Sequence, residues 1–333
     1  MRLGIVVPCY NEEEVLPETC RRMTTLIDRL VSQGKIFDDS RVFFVDDGSK
    51  DRTWALIEKF ASEDRHIAGI KLSRNRGHQH ALIAGLFTAG GDALVSIDAD
   101  LQDDVNAIEA MVDKFRSGAE IVYGVRKLRE NDTAFKRFTA EGFYKLLAAL
   151  GAESIYNHAD YRLMSRRVIE CLKQYAEVNL FLRSIVPLIG FKSDIVYYDR
   201  LARFAGKSKY PLKKMIAMAL DAITSFSVVP LRLITFLGFF IFFGSMLVSL
   251  WALWVRIYVG DVVPGWTSIV LPMYFLGGVQ LFCIGIIGEY LGKTYQEVKS
   301  RPLFFIEKEI PTPRGQQDPM STVDVELIKK KCK

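Results

Sequence analysis

Ala93-Leu94-Val95-Ser96-Ile97-Asp98-Ala99-Asp100-Leu101-Gln102-Asp103 passes from an apolar run of strand length into a hexapeptide rich in carboxylates. The run predicts a strand over Ala93–Ile97. Carboxylates two apart in an extended segment point the same way, so Asp98, Asp100 and Gln102 share one side of the chain. A hard divalent cation needs oxygen ligands, and Mg²⁺ is commonly held by one or two carboxylates together with substrate phosphates. Taken alone, the hexapeptide is explained equally well as a solvated acidic turn.

The same grammar recurs upstream. Apolar runs at Gly4–Val7, Arg41–Val45 and Ile67–Leu72 each end in polar residues: Tyr10-Asn11-Glu12, Asp46-Asp47-Gly48-Ser49 and Ser73-Arg74-Asn75. A further run lies at Ile121–Val122. Helical patterns fill the intervals at Glu14–Gln33, Thr53–Glu63, His78–Thr88 and Val105–Ser117. Continuous apolar strands alternating with helices predict an α/β domain with a mostly parallel, Rossmann-like sheet, covered on both faces. Ligands then bind beyond the carboxyl ends of the strands, and the four polar loops line one crevice. In the second loop Gly48 permits a tight turn, and Ser49 or Asp51 can cap the helix from Thr53. Capping leaves the paired Asp46-Asp47 unexplained; a carboxylate there could accept hydrogen bonds from a base or ribose. His78 and His80, two apart on a helix, do not face one another and read as polar residues of a helix start rather than metal ligands.

Composition divides the chain of 333 residues. Leu233–Val255 carries no charge over 23 residues, about 35 Å of helix, enough for a hydrocarbon core of ~30 Å. A second span is predicted at 268–287, with Pro264 and Pro272 before or at its start. Ahead of them, Leu212, Met215, Ile216, Ala219, Leu220, Ile223 and Phe226 recur at helical spacing, with Lys213, Lys214 and Asp221 off the stripe, as in a helix lying in a membrane interface. Lys and Arg cluster on the outer flanks of the spans, which predicts that both termini are cytoplasmic. The expected order is a catalytic domain over 1–210, an interfacial helix over 211–231, two transmembrane helices within 232–288, a juxtamembrane segment over 289–310 and a disordered tail over 311–333. A net charge of +5 is too modest to call for nucleic acid, and the five cysteines lack the CxxC spacing of a zinc site.

Val7-Pro8-Cys9-Tyr10-Asn11-Glu12, Val45-Asp46-Asp47-Gly48-Ser49-Lys50-Asp51, Ser73-Arg74-Asn75-Arg76-Gly77 and Asp98-Ala99-Asp100-Leu101-Gln102-Asp103, in that order, resemble the family-2 glycosyltransferases of GT-A fold. Asp160-Tyr161-Arg162-Leu163-Met164-Ser165, Asn179-Leu180-Phe181, Gly206-Lys207-Ser208-Lys209-Tyr210 and Gly288-Glu289-Tyr290-Leu291-Gly292-Lys293 extend the resemblance to the bacterial polyprenyl-phosphate enzymes of the dolichyl-phosphate-mannose synthase group. Within it, the branch most similar is the bactoprenol glucosyltransferases of O-antigen glucosylation. The likeness covers about residues 3–306.

That resemblance implies roles. Pro8, Tyr10 and Glu12 frame a uracil pocket and Asp46 binds base or ribose. Asp98 contacts the nucleotide sugar, and Asp100 and Gln102 hold Mg²⁺ or Mn²⁺ on the diphosphate. Asp160 is the acidic residue near the reacting carbon. Arg126 and Arg137 grip the acceptor phosphate, while Arg200, Arg203, Ser208 and Lys209 close a basic lid over the donor. The implied reaction is inverting transfer of a hexose, glucose from UDP-glucose being the first choice, onto undecaprenyl or another polyprenyl phosphate at the cytoplasmic face of a bacterial inner membrane. The nucleotide-sugar donor, the lipid acceptor and the bilayer are the implied partners, with a homo-oligomer left open. A processive polysaccharide synthase is the rival enzyme reading; it lacks support because no QxxRW occurs and only two spans are expected. A non-catalytic nucleotide-sugar-binding scaffold is the third reading, and it would not need to keep Asp98, Asp100, Gln102 and Asp160 together.

Overall fold

The computed structural model describes residues 1–127, 158–175, 177, 182–199, 229–258 and 265–310. They fall into two compact units. The first holds the sheet and its helices: β1 (Leu3–Cys9), α1 (Leu16–Ser32), β2 (Arg41–Asp46), α2 (Thr53–Glu63), β3 (Ile67–Leu72), α3 (His78–Thr88), β4 (Ala93–Ser96), α4 (Ala107–Arg116), β5 (Ile121–Arg126), β6 (His158–Ser165), α5 (Arg166–Leu172), α6 (Leu182–Leu188), β7 (Ser193–Tyr198) and β8 (Ile306–Glu309). The second holds α7 (Val229–Tyr258) and α8 (Trp266–Lys299).

Eight strands form one sheet in the order β7-β5-β6-β4-β1-β2-β3-β8. β1 pairs in parallel with β2 and β4, β2 with β3, and β5 with β7. β6 enters antiparallel between β4 and β5, and β8 closes the far edge antiparallel to β3. The carboxyl ends of β1–β5 and β7 therefore share one end of the sheet, and β6 begins there. The five apolar runs expected as strands are β1–β5; the sequence pattern does not reveal that β6 is inserted into the main sheet or that the segment after α8 returns as β8.

Every residue of β1 is buried, as a central strand covered on both faces requires. α1 turns Leu16, Cys20, Met23, Leu26, Ile27 and Leu30 to the core at helical spacing. α3 is buried from Ala81 to Leu86 and lies so close to the sheet that a Cβ on Gly85 would come within 2.3 Å of Val6 Cγ1. β8 is exposed throughout and is held by its ladder and by ion pairs: Lys71–Glu307 at 2.8 Å and Lys308–Glu58 at 2.6 Å.

In the second unit, α7 has 30 residues and α8 has 34. Among the described residues, Phe275–Lys299 is the one segment long and apolar enough to cross a membrane, and Leu231–Ile241 is a shorter apolar helix. Two spans are expected from the sequence, 233–255 and 268–287; among the described residues length and composition support one. Nearly all of the interfacial helix expected over 211–231 and the whole tail over 311–333 lie outside the described residues.

Candidate active site

The four polar loops are tied to one another at the carboxyl end of the sheet. Asn11 N–H donates to Ser49 Oγ and Lys50 N–H donates to Asn11 Oδ1, joining the loops after β1 and β2. Glu12 N–H reaches Thr53 Oγ1, and Asp51 accepts from the N–H of Glu13 and of Thr53. The loops after β2 and β3 meet at Asp47, whose carboxylate accepts from Arg76 N–H at 2.7 Å and Gly77 N–H at 2.8 Å. Gly48 sits at φ +67°, and a Cβ on it would lie 2.7 Å from the backbone of Arg74 and Asn75. The paired aspartates thus divide their labour. Asp47 locks the loop after β3. Asp46 accepts from Ser49 N–H through one oxygen, while its other oxygen is buried with no partner. Burial raises the Asp46 carboxyl above its ordinary value, opposed by the Ser49 hydrogen bonds. A buried, unpaired acceptor fits an incoming N–H or O–H donor.

Asp47→Ala strands two backbone donors. An unsatisfied buried donor costs about 1–3 kcal/mol. We expect a loss of stability of that order, seen by thermal unfolding.

The hexapeptide after β4 is a turn rather than a strand extension, because β4 ends at Ser96 and Leu101 takes φ +56°. The expected alternation survives in the turn. Ile97, Ala99, Leu101 and Asp103 are buried, while Asp98, Asp100 and Gln102 lie on the more open side. Gln102 N–H donates to Asp100 Oδ1 at 3.2 Å. Asp103, turned inward, accepts at one oxygen from Tyr198 Oη at 2.7 Å and from Arg126 Nε and Nη2 at 3.3 and 3.1 Å. Arg126 Nε also donates to Tyr198 Oη. The ends of β5 and β7 are so fastened to the turn.

Asp98 is pushed up to about 6: enclosure by the protein raises it, His78 pulls it down, and Asp160, Asp103 and Asp100 raise it further. His78 Nε2 lies 3.4 Å from Asp98 Oδ1 and 3.8 Å from Asp160 Oδ2. His78 is therefore a site residue, where the sequence supports only a helix-start role. Asp160, near the start of β6, is buried, as is Arg162. Arg162 Nη2 donates to Asp160 Oδ1 at 2.6 Å, Arg183 reaches both carboxylate oxygens at 3.3–3.4 Å, and Gln79 Nε2 donates to Oδ2 at 3.1 Å. Burial works against the charged form, but Arg183, Arg162 and His78 hold the Asp160 carboxyl well below the usual carboxylate range.

Among the described residues, no three His, Cys, Asp or Glu side chains form a ready-made metal cage. That is compatible with Mg²⁺ or Mn²⁺, which commonly takes one or two carboxylates and completes its shell with water and substrate phosphate. Asp98, Asp100 and Gln102 lie together on the open side of the turn, and that grouping of oxygen donors fits such an ion.

Pro8 lies in β1; Tyr10, Glu12, Asp46, Asp98, Asp100, Gln102, Arg126 and Asp160 all lie at the carboxyl end of the sheet. Arg137, Arg200, Arg203, Ser208 and Lys209 lie outside the described residues. His78, Gln79, Arg162, Arg183, Asp103 and Tyr198 join the site through contacts that the sequence did not disclose.

The family profile for Glycosyl transferase family 2 matches residues 4–173. The chain is 51% identical over 331 residues to the Bacillus subtilis (strain 168) glycosyltransferase YkoT, covering 99% of this chain and 97% of that one. It is 40% identical over 312 residues to the SfII prophage-derived bactoprenol glucosyl transferase of Shigella flexneri, covering 92% and 98%. Among solved structures it is similar to glucosyl-3-phosphoglycerate synthase from Mycobacterium tuberculosis, at 21% identity and a TM-score of 0.46 over 67% of this chain and 76% of that one. The chain belongs to glycosyl transferase family 2 and is a glycosyltransferase.

Proposed function

We propose that this enzyme transfers glucose from UDP-glucose to a polyprenyl phosphate with inversion at the anomeric carbon, giving polyprenyl-phosphate-glucose and UDP. The observation that carries the reading is the gathering of Asp46, Asp98, Asp100 and Asp160 at one end of the sheet. Similarity to a bactoprenol glucosyl transferase over 92% of the chain supports the choice of sugar and acceptor.

In this reading an oxygen of the lipid phosphate forms the new bond to the anomeric carbon. The bond from that carbon to the UDP oxygen breaks, and UDP leaves with the electron pair. A phosphate monoester with a second pKa of ~6 is largely a dianion at neutral pH, so its attack needs little help from a base. Asp160, held ionised below the usual range, is a weak base, and its contribution is electrostatic. Asp46 offers its unpaired oxygen to the uracil or ribose, and Pro8, Tyr10 and Glu12 border the base. Asp98, Asp100 and Gln102 hold Mg²⁺ or Mn²⁺, which when bound neutralises charge on the diphosphate as a Lewis acid. Arg126 and Arg137 serve the acceptor phosphate, with Arg200, Arg203, Ser208 and Lys209 over the donor. α7 and α8, with Phe236, Phe239, Phe240, Trp251, Leu281 and Phe282 exposed along them, anchor the enzyme in the bilayer that holds its acceptor.

The test is transfer from radiolabelled UDP-glucose, with undecaprenyl phosphate and Mn²⁺, by the full chain in membranes. Label entering a butanol-extractable lipid is the expected result. Label in insoluble polymer, or none in lipid, overturns the reading.

A further inference from the structure

Arg183 has no part assigned to it so far, yet its surroundings are built. Asp160 is already matched by Arg162: the two are 7% and 1% exposed and 2.6 Å apart. A second guanidinium is not needed to neutralise that carboxylate. Arg183 nevertheless lies against it, with 39% of its side chain exposed.

The backbone that carries Arg183 is pinned by the groups that grip Asp160. Gln79 donates to Asp160 Oδ2 and accepts from Leu182 N–H. Arg162 donates through Nη2 to Asp160 and through Nη1 to the Leu182 carbonyl at 3.0 Å. Residue 182 is thus held at both its N–H and its C=O, and residue 183 is aimed as a consequence. The contacts from Arg183 Nε and Nη2 to Asp160 are 3.4 and 3.3 Å, long for a charge-assisted bond, which runs nearer 2.7–2.9 Å. Loose contacts are readily exchanged for short ones to an oxyanion. His78 links this cluster to Asp98, lying 3.4 Å from Asp98 Oδ1 and 3.8 Å from Asp160 Oδ2.

We propose that Arg183 binds a substrate phosphate in this crevice, and that Asp160 is the positioning residue that aims its guanidinium. The inference rests on reading the site as one where a diphosphate donor meets a phosphate acceptor. An arginine suits phosphate because its planar fork can make two parallel bonds. The phosphate is either the donor's diphosphate or the lipid's monoester; the chemistry recognised is the same.

The experiment uses the full chain in detergent, as wild type, Arg183→Gln, Arg183→Lys, Asp160→Asn and the Asp160→Asn/Arg183→Gln pair. Each is titrated with UDP plus Mn²⁺ and, separately, with farnesyl phosphate; KM and kcat for transfer are then measured. Loss of a charge-assisted contact weakens binding roughly ten- to hundred-fold, so Arg183→Gln raises one of the two dissociation constants by that factor. A rise confined to UDP assigns the donor diphosphate, and a rise confined to farnesyl phosphate assigns the acceptor. Arg183→Lys recovers part of the loss. The double variant binds no worse than Arg183→Gln, because Asp160 acts through Arg183. Should neither dissociation constant nor either KM move by more than two-fold in Arg183→Gln, the proposal is overturned, whatever happens to kcat. A melting temperature within a few degrees of wild type keeps that outcome from being a folding failure, and Arg183→Lys is decisive if Arg183→Gln does not fold. If wild type transfers no glucose to lipid while a titration still responds to Arg183, the assigned reaction fails and the phosphate site stands.

Discussion

Asp98→Asn reduces sugar transfer by roughly 10²–10³-fold, the usual cost of removing one fixed electrostatic group from a preorganised site, and it does so without destabilising the protein. Asparagine keeps the shape of the side chain and removes its charge. The charge is what the fold tolerates badly. Asp98 is pushed up to about 6 by enclosure and by Asp160, Asp103 and Asp100, against the pull of His78. The folded chain therefore binds this proton more tightly than the unfolded chain does. Above that value the ionised carboxylate is a cost to folding, and the cost is absent in the amide. Activity and stability should move in opposite directions: lost transfer, with an equal or higher melting temperature at pH 7. That separation marks a residue kept for its chemistry. Transfer assays and thermal unfolding of the same preparation decide it. Near-normal turnover would remove Asp98 from the site, and a falling melting temperature would make it structural.

The sequence discloses the half of the site that lies on short-range signals. β1 to β4 are apolar runs ending in polar loops, and each loop falls where the strand ends. The hexapeptide after β4 keeps its alternation even as a turn, because Ala99 and Leu101 need burial whether or not the backbone is extended. What stays hidden is pairing at long range. His158–Leu163 alternates polar and apolar residues like a strand with one wet face, yet Asp160 and Arg162 are buried, so the pattern does not announce a strand inserted inside the sheet. It is a strand because β4 and β5 flank it, and neighbour packing decides strand formation more than intrinsic preference does. Ile306–Glu309 is the same case at the sheet edge, where its charges meet Lys71 and Glu58. Gln79 and Leu182 are 103 positions apart and Tyr198 and Asp103 are 95 apart, so no window of sequence joins them. Arg126 was assigned to the acceptor by resemblance, and its contacts to Asp103 and Tyr198 add a fastening role that resemblance does not carry. His78 could have been suspected only from its place directly after the Asn75-Arg76-Gly77 loop.

Arg162→Met should be the most destabilising single change in the site. Arg162 is fully buried, and its donors serve Asp160 and the Leu182 carbonyl. Methionine fills much of the volume and supplies no charge, so Asp160 is left in the interior with only the looser Arg183 as a cationic hydrogen-bond partner, and the Leu182 carbonyl loses its donor. Breaking a buried ion pair by removing one partner costs roughly 3–5 kcal/mol, which for a domain of this size is on the order of 10 °C in melting temperature. The effect depends on pH in a definite direction. Asp160 is held below the usual carboxylate range, so its ion pairs stabilise the protein above an unfolded value of about 3.9 and that contribution is lost as pH falls through the lower folded value. Removing Arg162 raises the folded value. The gap between wild type and variant therefore narrows as pH falls through the raised folded value of the variant. The paired change Asp160→Leu/Arg162→Met leaves no lone charge buried and should recover part of the stability while remaining inactive. Melting temperatures across pH for the two variants test this. A gap that widens on acidification, or a paired variant less stable than Arg162→Met, would show that packing, and not the charge of Asp160, is what Arg162 supports.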